Sequence, residues 1–332
     1  MYDEPVIFIG KDDEATLLYE PTEIHSVWDY AKTREFHEGV DFVIEGNKMR
    51  LTENSSMKFW DKRDYYNKNL TDLLHLIKQD GTFMRYAEGL SLQYEFVVSY
   101  SHNSRNSYST TSCQETKLKN TIEKIRKGQS VNIAFLGDSI TVGMGSYNIN
   151  ESYVELLKKF FVSNYKSNFN FENISYGGKS SSAAIKFACL MNFTPDLVFI
   201  AFGMNDIFSS ALEYKSNIEN CITTIHSKYP HSEIILVSNM LPNPDVYLVE
   251  NNGKLDSVSA TYSLEKSLIE LEEKYSFVSL TPVTSISAEL FSVKRDCSIL
   301  SNNYNHPNNF LHRIYAQEIL NTLFDDYYSV VK

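Results

Sequence analysis

The chain has 332 residues, of which 42% are hydrophobic and 22% charged, so it is long enough for one large globular domain or two smaller ones. Its net charge of -11, without any Lys/Arg-rich block, excludes a nucleic-acid binder and argues against docking on an anionic membrane. A neutral or weakly charged substrate fits this charge better.

The first residues carry neither the basic nor the apolar region of a secretory signal, and no run of 18 apolar residues occurs. We therefore expect a cytoplasmic protein that does not associate with membranes. The sequence also contains no HExxH motif, P-loop or dinucleotide fingerprint, and its four cysteines include no CxxC pair. These patterns predict that no metal or organic cofactor is needed.

Before residue 115, short apolar runs alternate with turn signals. Gly46-Asn47 lies between two of the runs and is typical of a hairpin turn. Strands at this spacing predict a β-sandwich, jelly-roll-like accessory domain over residues 1–115. The predicted strands are 6–9, 16–19, 42–45, 48–51 and 94–100.

After residue 115 the pattern changes to alternating strands and helices. A charged linker helix is predicted over residues 116–130, followed by an α/β domain over 131–332. The alternation predicts a parallel sheet with helices on both faces, a three-layer arrangement. The predicted strands are 131–136, 171–176, 196–202, 233–239 and 277–280, and the predicted helices are 153–165, 180–191, 213–229, 259–275 and 310–328.

The sequence Gly137-Asp138-Ser139-Ile140-Thr141 follows the first strand of the α/β part. Function in open α/β sheets collects at the carboxyl ends of the strands, so a Ser on a tight turn there can project its hydroxyl into a crevice. The simpler interpretation is a strand-end turn with a helix-capping Ser. Ser139 is therefore a candidate nucleophile that needs partners.

The next two strand ends supply candidate partners. Gly177-Gly178 follows the second strand, where glycines let backbone N–H groups approach a ligand closely. Asn205 follows the third strand, where its amide can donate to an oxyanion. The alternatives are a plain strand-to-helix turn for the glycines and a helix cap for Asn205.

His306 completes the set. It lies in the loop Asn305-His306-Pro307-Asn308-Asn309 before the last predicted helix, whereas His312 falls inside that helix. A lone His is more often structural than catalytic. Together with a serine and two oxyanion donors in chain order, however, His306 is the candidate base, and His312 is expected to pack or to face the surface.

These four blocks, spanning about residues 131–328, resemble those of the SGNH hydrolases, also called GDSL-like esterases. The resemblance implies that Ser139 is the nucleophile and His306 the base, with Pro307 matching the residue that follows the family's His. It also implies an oxyanion hole made by the N–H of Ser139, the N–H of Gly178 (Gly177 being a near alternative) and the amide of Asn205.

One position departs from the family pattern. The family usually has Asp three residues before the catalytic His, and this chain has Asn303 there. An uncharged amide cannot stabilise an imidazolium as a carboxylate does. We expect a backbone carbonyl to orient His306. The alternative is that another carboxylate does so, Asp296 being the nearest acid upstream, and Asn303 itself is the remaining candidate.

The resemblance implies a serine esterase that works through an acyl-enzyme on Ser139. The two-part layout is similar to that of carbohydrate esterases with an N-terminal β-sandwich, so the expected substrate is an O-acetylated sugar or polysaccharide. An O-acyltransferase acting on a glycan and a lipase or thioesterase are the alternatives, since the same residues serve all three. We expect a small-molecule or polysaccharide ester as the partner, and the sequence leaves the oligomeric state open.

Overall fold

The computed structural model describes residues 1–66, 75–86, 88–89, 92–104, 111–246, 248–250 and 253–325, except the side chains of residues 75, 249, 250, 253, 254, 296 and 297. The strands are β1 (Glu4–Ile7), β2 (Glu14–Thr16), β3 (Glu23–Asp29), β4 (Phe42–Glu45), β5 (Lys48–Leu51), β6 (His75–Ile77), β7 (Phe83–Arg85), β8 (Glu95–Ser101), β9 (Val131–Gly137), β10 (Phe169–Ser175), β11 (Leu197–Ala201), β12 (Glu233–Val237), β13 (Leu248–Glu250), β14 (Gly253–Leu255) and β15 (Val278–Thr281). The helices are α1 (Lys62–Tyr65), α2 (Lys119–Arg126), α3 (Ser139–Val142), α4 (Tyr153–Asn164), α5 (Ala184–Cys189), α6 (Ala211–Lys228), α7 (Ser257–Lys274), α8 (Val283–Phe291), α9 (Asp296–Ile299) and α10 (Asn309–Leu323).

The chain divides into two compact units. Unit 1 consists of Met1–Ser109, Asn243–Lys254 and Ala288–Leu311, and unit 2 of Thr110–Pro242, Leu255–Ser287 and His312–Lys332. This division differs from the predicted boundaries, because two segments expected in the C-terminal domain belong to unit 1. One of them, residues 288–311, carries His306.

Unit 1 is built from antiparallel strands. β8 lies between β1 and β3, β5 lies between β2 and β4, and β6 pairs with β7. The turn Gly46-Asn47 joins β4 to β5, which confirms the predicted hairpin. Part of the core is an apolar cluster made of Ile7, Ile9, Trp60, Tyr65, Met84 and Val246. The predicted β-rich N-terminal domain is thus confirmed.

Unit 2 contains a five-stranded sheet in the order β10-β9-β11-β12-β15, with every neighbouring pair parallel. The connections reverse direction between β9 and β11, which is where ligands bind in open α/β sheets. With right-handed crossovers, this strand order puts α4 on one face and α5, α6 and α7 on the other. The predicted α/β fold with a parallel sheet is confirmed.

Local sequence accounts for these elements. β9 reads VNIAFLG and is buried along its length apart from the half-buried Asn132, as expected of a strand covered on both faces. A Ser precedes each of α4 and α6 and caps it, because its hydroxyl accepts a hydrogen bond from the N–H of a Glu three residues later: Ser152 from Glu155 at 3.4 Å and Ser210 from Glu213 at 3.1 Å. Among the described residues no helix is both long and apolar enough to cross a bilayer.

Several boundaries differ from the sequence-based predictions. The strand predicted at 16–19 lies earlier, at β2, and the linker helix predicted over 116–130 is shorter, at α2. The seven-residue strand β3 was not predicted, because its sequence, EIHSVWD, mixes charged and polar residues with apolar ones. The last helix, predicted to reach residue 328, ends at Leu323, and residues 326–332 lie outside the described part of the chain.

Candidate active site

Ser139 is the first residue of α3 and follows β9 after a single residue. Gly137 closes the strand, and a Cβ on it would lie 2.8 Å from the Ala201 carbonyl oxygen, so no larger residue fits. Asp138 is extended, and its carboxylate caps the short helix by accepting a hydrogen bond from the N–H of Ile140 at 3.0 Å. A sharp strand-to-helix turn thus holds Ser139 at the carboxyl edge of the sheet.

The turn after β10 lies beside Ser139. A Cβ placed on Gly177 would be 4.0 Å from the Cβ of Ser139 and 3.7 Å from the Sδ of Met144. Gly178 has φ +71°, a left-handed conformation that glycine adopts without strain. The peptide that joins the two glycines therefore lies next to the serine, and its N–H, which belongs to Gly178, is a candidate oxyanion donor.

Asn205 follows β11 and contacts the same turn. Its Nδ2 donates to the carbonyl of Lys179 at 3.0 Å, which uses one of the two N–H groups of the amide. The alternative role as a helix cap is wrong, because Ser210 caps α6. Asn205 is partly exposed, so its amide remains accessible to a ligand.

Asp206 holds the other end of the turn. Its buried carboxylate accepts hydrogen bonds from the N–H of Ser181 at 3.0 Å and from the Ser181 hydroxyl at 2.5 Å. Burial raises the pKa of Asp206 above its ordinary value, against the two hydrogen bonds from Ser181. No pattern in the sequence predicts a role for Asp206, although it directly follows Asn205.

The sheet register brings these strand ends together. Gly137 of β9 pairs with Ser175 of β10 and with Ala201 of β11, so the three following segments emerge side by side. A serine hydroxyl flanked by amide donors on neighbouring strand ends can attack a carbonyl while the resulting oxyanion is stabilised. This arrangement belongs entirely to unit 2.

His306 belongs to unit 1 and lies in the loop between α9 and α10. The loop is closed at its base, where Leu300 forms an antiparallel bridge with Pro307 and the N–H of Ser301 donates to the carbonyl of His306 at 2.9 Å. His306 is only 7% exposed. The ring is therefore held on an ordered loop rather than on a free one.

Asn302 organises this loop from inside. Its Oδ1 accepts hydrogen bonds from the N–H groups of all three residues 304–306, at 3.0 to 3.2 Å. It is fully buried, and its amide satisfies donors that the turn would otherwise leave unpaired. In the sequence, Asn302 is marked only by its position in the loop four residues before His306, since Asn favours turns.

The Nδ1 atom of His306 is hydrogen-bonded to the carboxylate of Glu88, another residue of unit 1. Ser301 Oγ and Asn302 Nδ2 donate to the same carboxylate, at 3.0 and 2.9 Å. Burial alone would raise the pKa of Glu88, but the hydrogen bond and charge of His306, helped by Ser301 and Asn302, outweigh it and hold that pKa below its ordinary value. Glu88 is thus a carboxylate at neutral pH.

This contact corrects the expectation about how His306 is oriented. A backbone carbonyl was preferred, and the acceptor at Nδ1 is instead a carboxylate. Asn303 does not reach the ring as a partner, because its Nδ2 donates to the carbonyl of Arg85 at 3.0 Å. The side chain of Asp296 lies outside the described residues. Sequence reasoning missed Glu88 because it is 218 residues from His306 and stands in no motif.

His312 lies in unit 2 and is completely buried in α10. Its Nδ1 accepts a hydrogen bond from the N–H of Tyr153 at 3.3 Å, and its Nε2 is 3.1 Å from the carbonyl of Met144. Both ring nitrogens are therefore used in packing the helix. This geometry fits the structural role expected for His312.

One group of potential metal ligands occurs among the described residues. Cys113, Glu115 and Asp325 each place a ligand atom within 4.8 Å of the other two. Burial raises the pKa of the Cys113 thiol, and Glu115 is already ion-paired with Arg126. Both features oppose metal binding, which needs a thiolate and an available carboxylate.

Solved structures resemble this fold. A two-domain esterase active on acetylated mannans, crystallised with mannopentaose, matches with a TM-score of 0.50 and 20% identity, over 64% of this chain and 55% of that one, so the match spans about half of the esterase's length. An acetyl xylan esterase matches with a TM-score of 0.44 and 15% identity, over 57% of this chain and 98% of that one. A psychrotrophic esterase from Pseudoalteromonas sp. matches with a TM-score of 0.39 and 20% identity, over 57% of this chain and 95% of that one.

Comparison with curated protein sequences gives no match. A family model does match: residues 135–313 fit that of the GDSL-like lipase/acylhydrolase family. This stretch covers more than half of the chain and contains Ser139, Gly178, Asn205 and His306. The protein therefore belongs to the GDSL-like lipase/acylhydrolase family.

Proposed function

We propose that the protein is a serine esterase that forms an acyl-enzyme on Ser139, with His306 as general base, and that it removes O-acetyl groups from a sugar or polysaccharide. The observation that carries the proposal is the meeting of three strand ends in unit 2. There Ser139, the Gly177–Gly178 turn and Asn205 emerge beside one another at the point where the sheet order reverses.

The proposed reaction has two balanced halves. The Ser139 Oγ attacks the ester carbonyl as its proton moves to Nε2 of His306, and the carbonyl π electrons move onto the oxygen. Collapse of this tetrahedral species breaks the ester C–O bond, and the proton on Nε2 passes to the departing alcohol. Water then repeats the sequence on the acyl-enzyme and releases the acid, which restores the Ser139 hydroxyl.

The negative oxygen formed in each half needs donors in place beforehand. The N–H of Ser139, the N–H of Gly178 and the second N–H of the Asn205 amide are the proposed donors. Hydrogen bonds within the turn (Asn205 to Lys179, Ser181 to Asp206) fix the backbone that carries the glycine. Such preorganisation is what makes donors effective, because they do not have to reorient during the reaction.

The proposed substrate class draws on two features. The structural neighbour with a TM-score of 0.50 is described as active on acetylated mannans. In this chain, Tyr176 directly precedes the glycine turn and is 57% exposed, so it offers a flat amphipathic surface at the start of that turn. The net charge of -11 also suits a neutral glycan better than an anionic one.

A second candidate, a lipase or thioesterase, is favoured by a different observation. Four apolar side chains near Ser139 or Asn205 in the sequence are exposed to at least 37%: Val142, Met144, Ile149 and Phe208. An exposed apolar rim suits an acyl chain longer than acetyl. The length of the preferred acyl group therefore separates the two candidates.

The experiment is a substrate panel run without an added acceptor. It contains p-nitrophenyl esters from acetate to decanoate, acetylated mannan and acetylated xylan, and it compares the wild type with Ser139→Ala. Ser175→Ala, which alters the serine at the end of the neighbouring strand, is the matched control. We expect Ser139→Ala to lower kcat by roughly 10³–10⁶ and Ser175→Ala to leave it near the wild-type value.

Acetate release from a polysaccharide, with activity falling as the acyl chain lengthens, supports the proposed substrate. A preference for long acyl chains would favour the lipase or thioesterase. Release that requires a sugar acceptor would favour an acyltransferase. Full activity in Ser139→Ala would overturn the proposed mechanism for every substrate.

A further inference from the structure

The position at which the family carries its acid is occupied here by an amide that serves another purpose. Asn303 has φ +63° and donates from Nδ2 to the carbonyl of Arg85. Its Oδ1 has no hydrogen-bond partner among the described residues. Asn303 thus supplies neither a charge nor a hydrogen bond to the imidazole of His306.

A different carboxylate occupies the place at which an orienting acid acts. Glu88 contacts Nδ1 of His306, and two further donors, Ser301 Oγ and Asn302 Nδ2, hold the same carboxylate. Because Asn302 also accepts the N–H of His306 at 3.2 Å, one buried side chain ties the histidine backbone to the carboxylate that meets its ring. The contact is therefore built into the loop.

We propose that Glu88 is the positioning carboxylate of the catalytic histidine, taking the place of the acid that the family carries at the position of Asn303. The proposal rests on the proposed function, since it requires His306 to be the base. Glu88 acts through His306 and does not touch the substrate. All residues that carry it, including Ser301 and Asn302, belong to unit 1.

The chemistry follows from the side of the ring that Glu88 contacts. A carboxylate at Nδ1 keeps a proton on that nitrogen, so the lone pair on Nε2 is available for the proton of Ser139. When His306 becomes an imidazolium, the negative charge of Glu88 stabilises it, and the Nδ1 proton stays on the ring. The Glu88 side chain is 42% exposed, so water screens this charge more than it screens a buried triad acid.

The test compares three variants with the wild type. Glu88→Gln keeps the shape and one acceptor oxygen but removes the charge, and Glu88→Asp keeps the charge on a shorter side chain. Glu38→Gln, which removes one exposed carboxylate from the same unit, is the matched control. The readouts are kcat and KM on a short-chain p-nitrophenyl ester, and the downfield proton resonance of an imidazole N–H bonded to a carboxylate, assigned by its absence in His306→Ala.

We expect Glu88→Gln to lower kcat by at least about ten-fold, and by less than the roughly 10⁴-fold seen when a buried triad acid is neutralised, with little change in KM. The downfield resonance should be present in the wild type and lost in Glu88→Gln. Glu88→Asp should recover part of the lost kcat, and Glu38→Gln should match the wild type. A purely structural role for Glu88 would not produce this recovery together with an unchanged KM.

Wild-type kcat in Glu88→Gln, while Ser139→Ala is inactive, would overturn the proposal and leave the proposed function standing. A wild type without the downfield resonance would also overturn it, even if Glu88→Gln failed to fold. A wild type that neither turns over any ester nor reacts with a serine-directed phosphonate would overturn the proposed function and the role of Glu88 together.

Discussion

Asn205 has two hydrogen-bonding tasks at the end of β11. One N–H of its amide holds the carbonyl of Lys179, and the other is the proposed oxyanion donor. We expect Asn205→Ala to lower kcat by roughly 10²–10³, the usual effect of losing one such donor, with a much smaller change in KM. The measurement is steady-state kinetics on a short-chain ester, with thermal unfolding recorded in parallel.

Asn217→Ala is the matched control for this prediction. Asn217 donates to the Ser181 hydroxyl at 3.1 Å, so it also supports the glycine turn but has no proposed role toward the oxyanion. We expect it to change stability more than kcat. If Asn205→Ala behaved in the same way, with kcat near the wild-type value, Asn205 would have only the structural task.

The sequence predicts functional residues well where a local signal marks them. Ser139 begins the helix that follows β9, and Asn205 and His306 lie in segments between elements, so pattern alone singles them out. Glu88 has no such signal. The amide at Asn303 leaves either a backbone carbonyl or another acid to orient His306, and it does not say which of the 42 acidic residues would do so.

At the scale of elements, the turn after β10 depends on Asp206. Its pKa is raised in the folded protein by burial, while the unfolded chain has the ordinary value of 3.8. The folded state therefore binds the proton more tightly, so this group's contribution to stability is complete below the ordinary pKa and is lost as the pH rises through the folded pKa. Asp206→Asn cannot ionise and keeps one acceptor oxygen for Ser181.

We consequently expect the melting temperature of Asp206→Asn, relative to that of the wild type, to increase as the pH rises from about 4 to neutrality. Thermal unfolding at a series of pH values measures this difference. A difference between Asp206→Asn and the wild type that stayed constant with pH would contradict the expected titration.

The inner strands β9, β11 and β12 were predictable because each is a nearly continuous apolar run, which burial on both faces requires. β3 was not, since its mixed sequence depends on pairing with β8, a strand 66 or more residues away in the chain. The division into units was not predictable either. Contacts such as Glu88 to His306 join distant segments, and no local pattern reports them.

At the scale of the whole molecule, the proposed catalytic residues divide between the two units. Ser139, Gly178 and Asn205 belong to unit 2, whereas His306 and Glu88 belong to unit 1 together with the N-terminal strands. We propose that the N-terminal region contributes to the proposed esterase activity, since Glu88 belongs to it. A change that disrupts this region should therefore lower activity on small esters as well as on polymers.

Lys294 offers a way to test this without truncating the chain. It lies on the 288–311 segment, and its Nζ is buried against Glu4 Oε1 at 2.7 Å and the carbonyls of Pro5 at 2.7 Å and Thr16 at 2.9 Å. Lys294→Met leaves Glu4 as an uncompensated buried charge, which costs about 3–5 kcal/mol. We expect that loss in urea unfolding, and a lower kcat on a short-chain ester where the protein is still folded.

The control for Lys294→Met is Lys32→Met, which breaks the exposed pair with Asp3 in the same unit and should cost at most about 1 kcal/mol. The double change Glu4→Gln with Lys294→Met should recover part of the lost stability, because it also removes the uncompensated charge. Equal costs for the two single lysine variants, with unchanged kcat in both, would show that this segment does not depend on the buried pair.

The central claim is that Ser139 is the nucleophile of the proposed esterase, and covalent labelling tests it most directly. The wild-type protein is treated with a serine-directed phosphonate, digested, and the modified peptide is identified by mass spectrometry, with Ser139→Ala, His306→Ala and His312→Ala treated in parallel. We expect one label, on Ser139, absent from Ser139→Ala, strongly slowed in His306→Ala and unaffected in His312→Ala. A label on another residue, or undiminished labelling of Ser139→Ala, would contradict the claim.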